Sequence, residues 1–231
     1  MSPDIQDFLL KLLIIAPGMI AAITLHEASH GFVAWKLGDD TAYMMGRVTF
    51  NPLRHIDPMG TIILPALLIF TTGFMFGYAK PVPVNYRKLR NPRRDMVLVA
   101  AAGPASNIVI ALVSAIALRF IPETSTVTTA VLTGIFVYSV FFNAMIGVFN
   151  MIPLPPLDGG RVAVGLLPYP LAVRLARLER YGMVILLVAL IGLPLIGQQI
   201  GTDLNVFSWI VMPVVEYVQG LIYFVTGNAA P

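Results

Sequence analysis

The chain has 231 residues, of which 57% are hydrophobic and only 12% charged, with a mean hydropathy of +0.81. A water-soluble domain is usually about a quarter charged, so this composition excludes a soluble globular enzyme and points to lipid as the solvent. The net charge of +3 falls beside apolar runs, which favours membrane topology over nucleic-acid binding, and the absence of cysteine excludes disulfides, thiolate metal sites and cysteine nucleophiles.

Spanning helices of roughly 20 apolar residues are predicted at about 8–36, 96–119, 128–150, 181–198 and 205–226. The acidic start MSPDIQD lacks the basic region of a signal peptide, so the first apolar stretch is expected to remain in the mature fold. A shorter apolar stretch, Gly60–Phe76, contains Pro65 and either crosses or dips into the bilayer. The fold class is therefore an all-α polytopic membrane protein of about five to six transmembrane helices, with a short membrane-associated strand or re-entrant region after the first. No internal repeat is apparent, and one domain over 1–231 is expected, its catalytic core at about 8–165 and its C-terminal helices at about 181–226.

Lys and Arg gather in 36–58, 80–94 and 158–180, whereas the links near 119–127 and 198–205 are poor in them. The positive-inside rule then makes all three basic segments cytoplasmic if Gly60–Phe76 is re-entrant. The N-terminus lies outside in that topology, and each later helix pair goes out and back, leaving the C-terminus inside. The predicted location is the cell membrane, with multiple passes.

His26-Glu27-Ala28-Ser29-His30 ends the first apolar run. Residues four apart on a helix share a face, so His26 and His30 can share one Zn²⁺, and Glu27 can accept a proton from the attacking water and pass it to a leaving amine. Ionisable groups within spans are costly and default to function, against the plainer reading of two histidines snorkelling at a helix end. Zinc needs a third protein ligand. Asp158 is the best candidate, in Asn150-Met-Ile-Pro-Leu-Pro-Pro-Leu-Asp158-Gly-Gly-Arg161, where prolines stiffen the backbone and Gly159-Gly160 allow close approach. Its rival role is a helix N-cap, and His55 competes with it as a ligand. Glu216, inside the last apolar stretch, either lines a water path or packs at a helix end.

HEASH, the run Ala102-Gly-Pro-Ala-Ser-Asn107 and NMIPLPPLDGGR together resemble the site-2 protease family of intramembrane metalloproteases, in its compact form without a PDZ-like or nucleotide-binding module. The resemblance implies one zinc per chain on His26, His30 and Asp158, with Glu27 as general base. It implies that Asn150 holds the substrate backbone or the developing oxyanion, with helix packing as the alternative. Gly103 and Asn107 match a motif expected to pack helices closely, and Gly46–Pro52 lies where the family places strands that align substrate, although a short loop fits equally. The expected activity is hydrolysis of peptide bonds within or near transmembrane segments, with the active site towards the cytoplasm. Expected partners are transmembrane substrates and lipid, with no nucleic acid and a second copy of the chain as a further candidate. A membrane metal transporter using the same cluster and a catalytically silent scaffold are the rival readings.

Overall fold

The computed structural model describes residues 3–67, 77–122 and 124–229. The described residues form helices and loops without a strand. The helices are α1 Pro3–Lys36, α2 Thr41–Met44, α3 Pro58–Leu67, α4 Pro92–Leu118, α5 Val127–Asn150, α6 Asp158–Leu166, α7 Tyr169–Ala176, α8 Glu179–Ile200 and α9 Phe207–Thr226. Five of these (α1, α4, α5, α8 and α9) are long and apolar enough to cross a bilayer, which bears out the predicted class and places the protein in a membrane.

Local chemistry sets the helix ends. Gly38, at φ +112°, stops α1, and the Asp39 N–H closes back on the Ala34 carbonyl at 2.9 Å. Pro92 opens α4, while Asp95 reaches back to accept the Asn91 N–H at 2.8 Å. Thr126 and Thr129 form a reciprocal box at the start of α5.

The core is the trio α1, α4 and α5, with α9 laid against α4 and α5. Lipid tails are as apolar as the side chains, so helices here are held by close packing of small residues rather than by escape from water. Ala22, Ala111, Ala115 and Ala144 are fully buried. At Gly18 an added Cβ would sit 2.7 Å from the Ser139 Cα, so α1 and α5 touch there through their backbones.

Two stretches that the sequence left open can be described further. Residues 46–51 form a loop with bends at 48–50, which is the alternative that fitted the sequence as well as the strand did. Of the Gly60–Phe76 stretch, 68–76 lie outside the described residues, but Tyr78 N–H donates to the Gly60 carbonyl at 3.0 Å and Lys80 N–H to the His55 carbonyl at 2.9 Å. The described flanks of the stretch therefore stand side by side.

The final pair of helices does not run out and back. Phe207, at the start of α9, packs on Phe149 near the end of α5, with ring centroids 6.2 Å apart. The far end of α9 is tied to the end of α4: Arg119 Nη1 donates to the Thr226 carbonyl at 2.9 Å, and Asn228 Nδ2 to the Ala115 carbonyl at 2.8 Å. So α9 runs parallel to α4 and ends at the face carrying the 119–127 link, opposite to where the charge rule put it. The reason is plain in the composition: neither 198–205 nor the last five residues contain a Lys or Arg to orient the pair.

Candidate metal centre

His26 and His30 project from one face of α1, their rings edge to face at a centroid distance of 4.7 Å. Asp158 is the first residue of α6, after Leu157 in the capping position, so it is not the N-cap. The backbone reaches this position only because Gly159 and Gly160 lack side chains: a Cβ on Gly159 would lie 2.2 Å from the Met151 carbonyl oxygen, and one on Gly160 2.2 Å from Pro155 N. The result is a triangle of donor atoms. His26 Nε2 and His30 Nε2 are 3.1 Å apart, and Asp158 Oδ2 is 3.1 Å from the first and 3.3 Å from the second. All three residues are buried.

The protonation pattern follows from the partners. His30 Nδ1 faces the Val99 carbonyl at 2.7 Å, so it must donate. His26 Nδ1 faces Asn107 Oδ1 at 2.7 Å, and that amide is oriented because its Nδ2 donates to the Ala22 carbonyl at 3.0 Å. With both Nδ1 atoms donating, the neutral rings direct their Nε2 lone pairs at each other and at a carboxylate oxygen. That oxygen, Asp158 Oδ2, has no hydrogen bond among the described residues.

Three inward lone pairs in a buried site fit a cation. Tetrahedral zinc with bonds of about 2.0–2.1 Å separates its ligands by roughly 3.3–3.4 Å, close to the triangle observed. Two imidazoles and one carboxylate, with a fourth position free, make a catalytic rather than a closed structural donor set. Gly103 of α4 completes the fit: a Cβ there would come within 2.5 Å of His30 Nε2 and 2.7 Å of His26 Cε1. Only a bare backbone at 103 leaves room for both rings.

The supports run deeper than the sequence suggested. Asn107, expected to pack helices, is wholly buried and also orients His26. Its second amide hydrogen goes to Asn143 Oδ1 at 3.0 Å; Asn143 Nδ2 in turn donates to the Ser139 carbonyl at 2.9 Å, and the Ser139 and Ser114 hydroxyls pair at 2.8 Å. Asn143 was not singled out from the sequence, although a fully buried amide in so apolar a span is a signal in itself.

The other candidate residues fall as follows. Glu27 is half-buried, and its Oε2 accepts the Val82 N–H at 2.9 Å. His55 stands apart from the donor triangle and pairs through Nε2 with the Thr49 carbonyl at 3.0 Å; among the described residues, His26, His30 and Asp158 are the group able to hold an ion. Asn150, the last residue of α5, donates its amide to the Ile146 carbonyl of its own helix at 3.0 Å, and no bond joins it to the triangle among the described residues. Glu216 is exposed on α9 and is not part of the donor group.

Fold and donor set thus define a polytopic membrane protein built round a catalytic-type metal centre. The profile of Peptidase family M50 matches residues 14–192, and the chain belongs to that family. It is similar to "Putative zinc metalloprotease YwhC" of Bacillus subtilis (strain 168), 40% identical over 174 residues that cover 74% of this chain and 76% of that protein. It is also similar to "Putative zinc metalloprotease Rip2" of Mycolicibacterium smegmatis, 32% identical over 148 residues, or 64% of this chain and 54% of the relative. For Rip2 of Mycobacterium tuberculosis H37Rv the identity is 32% over 142 residues, covering 62% and 52%. The match thus spans about half the length of the Rip2 proteins. No solved structure matches the chain significantly.

Because Asn107 fixes the tautomer and orientation of His26, Asn107→Ala is expected to weaken zinc binding by about 10–100-fold, read by competition with a chromogenic chelator. Unchanged affinity would mean that packing alone holds His26.

Proposed function

We propose that this M50 metalloprotease works as a zinc-dependent intramembrane endopeptidase in which His26, His30 and Asp158 hold the metal and Glu27 is the general base. The observation that carries this reading is the convergence of the three donor atoms on one point next to Glu27 in the chain. Zinc held there supplies Lewis acidity, towards the scissile carbonyl and towards the attacking water.

Glu27 takes the proton of that water on its carboxylate and delivers it to the leaving amine nitrogen as the C–N bond breaks. Asn150 is a neutral amide able to donate to the carbonyl oxygen as negative charge develops; in that role it exchanges its present bond to Ile146 for one to the substrate. The two imidazoles direct their Nδ1–H groups at Asn107 Oδ1 and the Val99 carbonyl, which leaves both Nε2 lone pairs for the metal.

The substrates are transmembrane segments of other proteins. A helix hides its peptide bonds in its own hydrogen bonds, so the target must unwind locally, and helix-breaking residues in it favour cleavage. Alongside α1, Pro17, Ile20, Ala21, Thr24, Leu25 and Phe50 line an apolar groove of about 350 Å³ that reaches the residue before His26. Such a groove suits an approach from within the bilayer. The basic segments 36–58, 80–94 and 158–180 support an active site at the cytoplasmic side of the cell membrane. A transit site for metal ions needs ligating groups along a path, and here the ionisable ligands gather at one level.

Two outcomes are expected. Glu27→Gln should lower cleavage of a tagged single-span reporter by at least about 100-fold at equal expression; equal product from both proteins would remove Glu27 from the mechanism. With no native cysteine to interfere, a Met44→Cys protein should resist a membrane-impermeant thiol reagent in intact cells and react after permeabilisation. Labelling from outside would reverse the topology.

A further inference from the structure

Residues 80–85 cross α1 beside Glu27, and their composition is unusual: Lys80-Pro81-Val82-Pro83-Val84-Asn85. Proline has no N–H, so Val82 offers the single backbone donor of the central tripeptide. That donor goes to Glu27 Oε2 at 2.9 Å. The Val82 side chain is buried against Gly31, one helical turn beyond Glu27, where an added Cβ would be 3.1 Å from Val82 Cγ1.

The strap is pinned along its length. Lys80 N–H donates to the His55 carbonyl at 2.9 Å, and Asn85 N–H to the carboxylate of fully buried Asp39 at 2.6 Å. Between them Arg47, itself buried, donates through Nη2 to the Lys80 carbonyl at 2.6 Å, with the Pro81 carbonyl at 3.5 Å. Arg47 Nε has no hydrogen bond among the described residues. A buried guanidinium with an unmet donor is a poor device for stability. What its placement achieves is to fix the two carbonyls that immediately precede the Val82 N–H.

We infer that Arg47 is a positioning residue for peptide hydrolysis: by holding the Lys80–Pro81 backbone it presents the Val82 N–H to Glu27 and so fixes where the carboxylate stands. This rests on the reading of Glu27 as general base. One oxygen of the carboxylate is anchored by the strap, and the other is left for proton transfer. A rotating Glu27 would spend much of its time out of reach of the reacting water, and a misplacement of about 1 Å can cost on the order of 100-fold in rate. The contact therefore acts on turnover rather than on substrate capture.

The test uses the full-length protein in proteoliposomes, with a tagged single-span membrane protein that the wild type cleaves. Because Pro81 and Pro83 carry no amide, the exchange rate of the Val82 amide can be read separately by mass spectrometry. Arg47→Ala should speed that exchange and lower kcat by about 10–100-fold, with KM and zinc content unchanged, while Arg47→Lys recovers part of the loss. Val82→Pro, which deletes the donor directly, should lower kcat similarly, and the double variant should be no worse than Val82→Pro alone. Full kcat in a folded Val82→Pro protein overturns the inference, even if Arg47→Ala fails to fold. Losses that multiply in the double variant also overturn it, because Arg47 would then act by another route. Failure of the base reading shows separately, as full cleavage by Glu27→Gln.

Discussion

Three lone pairs meet in the interior of this protein, on His26 Nε2, His30 Nε2 and Asp158 Oδ2, at mutual distances of 3.1–3.3 Å. Neither ring can relieve the crowding by moving its proton, because each Nδ1 is committed to a carbonyl oxygen 2.7 Å away. Among the described residues the carboxylate has no other donor on that oxygen. A divalent cation resolves all three at once. Much of what surrounds the triangle follows from bringing the donors to one point inside a bundle that lipid surrounds.

The bundle meets that demand by omission as much as by contact. Gly103 gives the imidazoles their room, and Gly159 and Gly160 let α6 fold tightly enough to bring Asp158 in. Hydrogen bonds between membrane helices average only about 0.6 kcal/mol in stability, so the buried ladder from His26 through Asn107, Asn143 and Ser139 to Ser114 contributes modestly to holding the helices together. Its larger effect is geometric. Asn143 and the Ala22 carbonyl settle which way the Asn107 amide points, and that amide settles the His26 tautomer. Second partners of this kind govern metal affinity as strongly as many direct contacts.

Much of this was legible in the sequence, and the failures have physical causes. The spans were readable because apolar length is a local property. The i, i+4 spacing of His26 and His30 and the proline-stiffened LDG segment announced the ligand types, and with so few acidic residues in the chain Asp158 stood out. Direction was harder: α9 runs parallel to α4 because of packing at Phe149 and Ala115, and no charge near its ends records that. Arg47 read as one more cytoplasmic charge, yet it is buried and its guanidinium is turned onto the backbone of a segment 33 residues on. Asn143 shows the same limit: a polar side chain in an apolar run shows that a partner exists, but only the fold says which.

The most direct measurement is X-ray absorption at the zinc edge on the purified protein, with metal content determined alongside. One zinc per chain is expected, bound by two imidazole nitrogens at about 2.0–2.1 Å together with oxygen ligands, and Asp158→Ala should lose most of the metal. A protein that keeps full proteolytic activity when stripped of metal, or an unchanged zinc spectrum in His30→Ala, would contradict the assignment of the triangle as the metal centre.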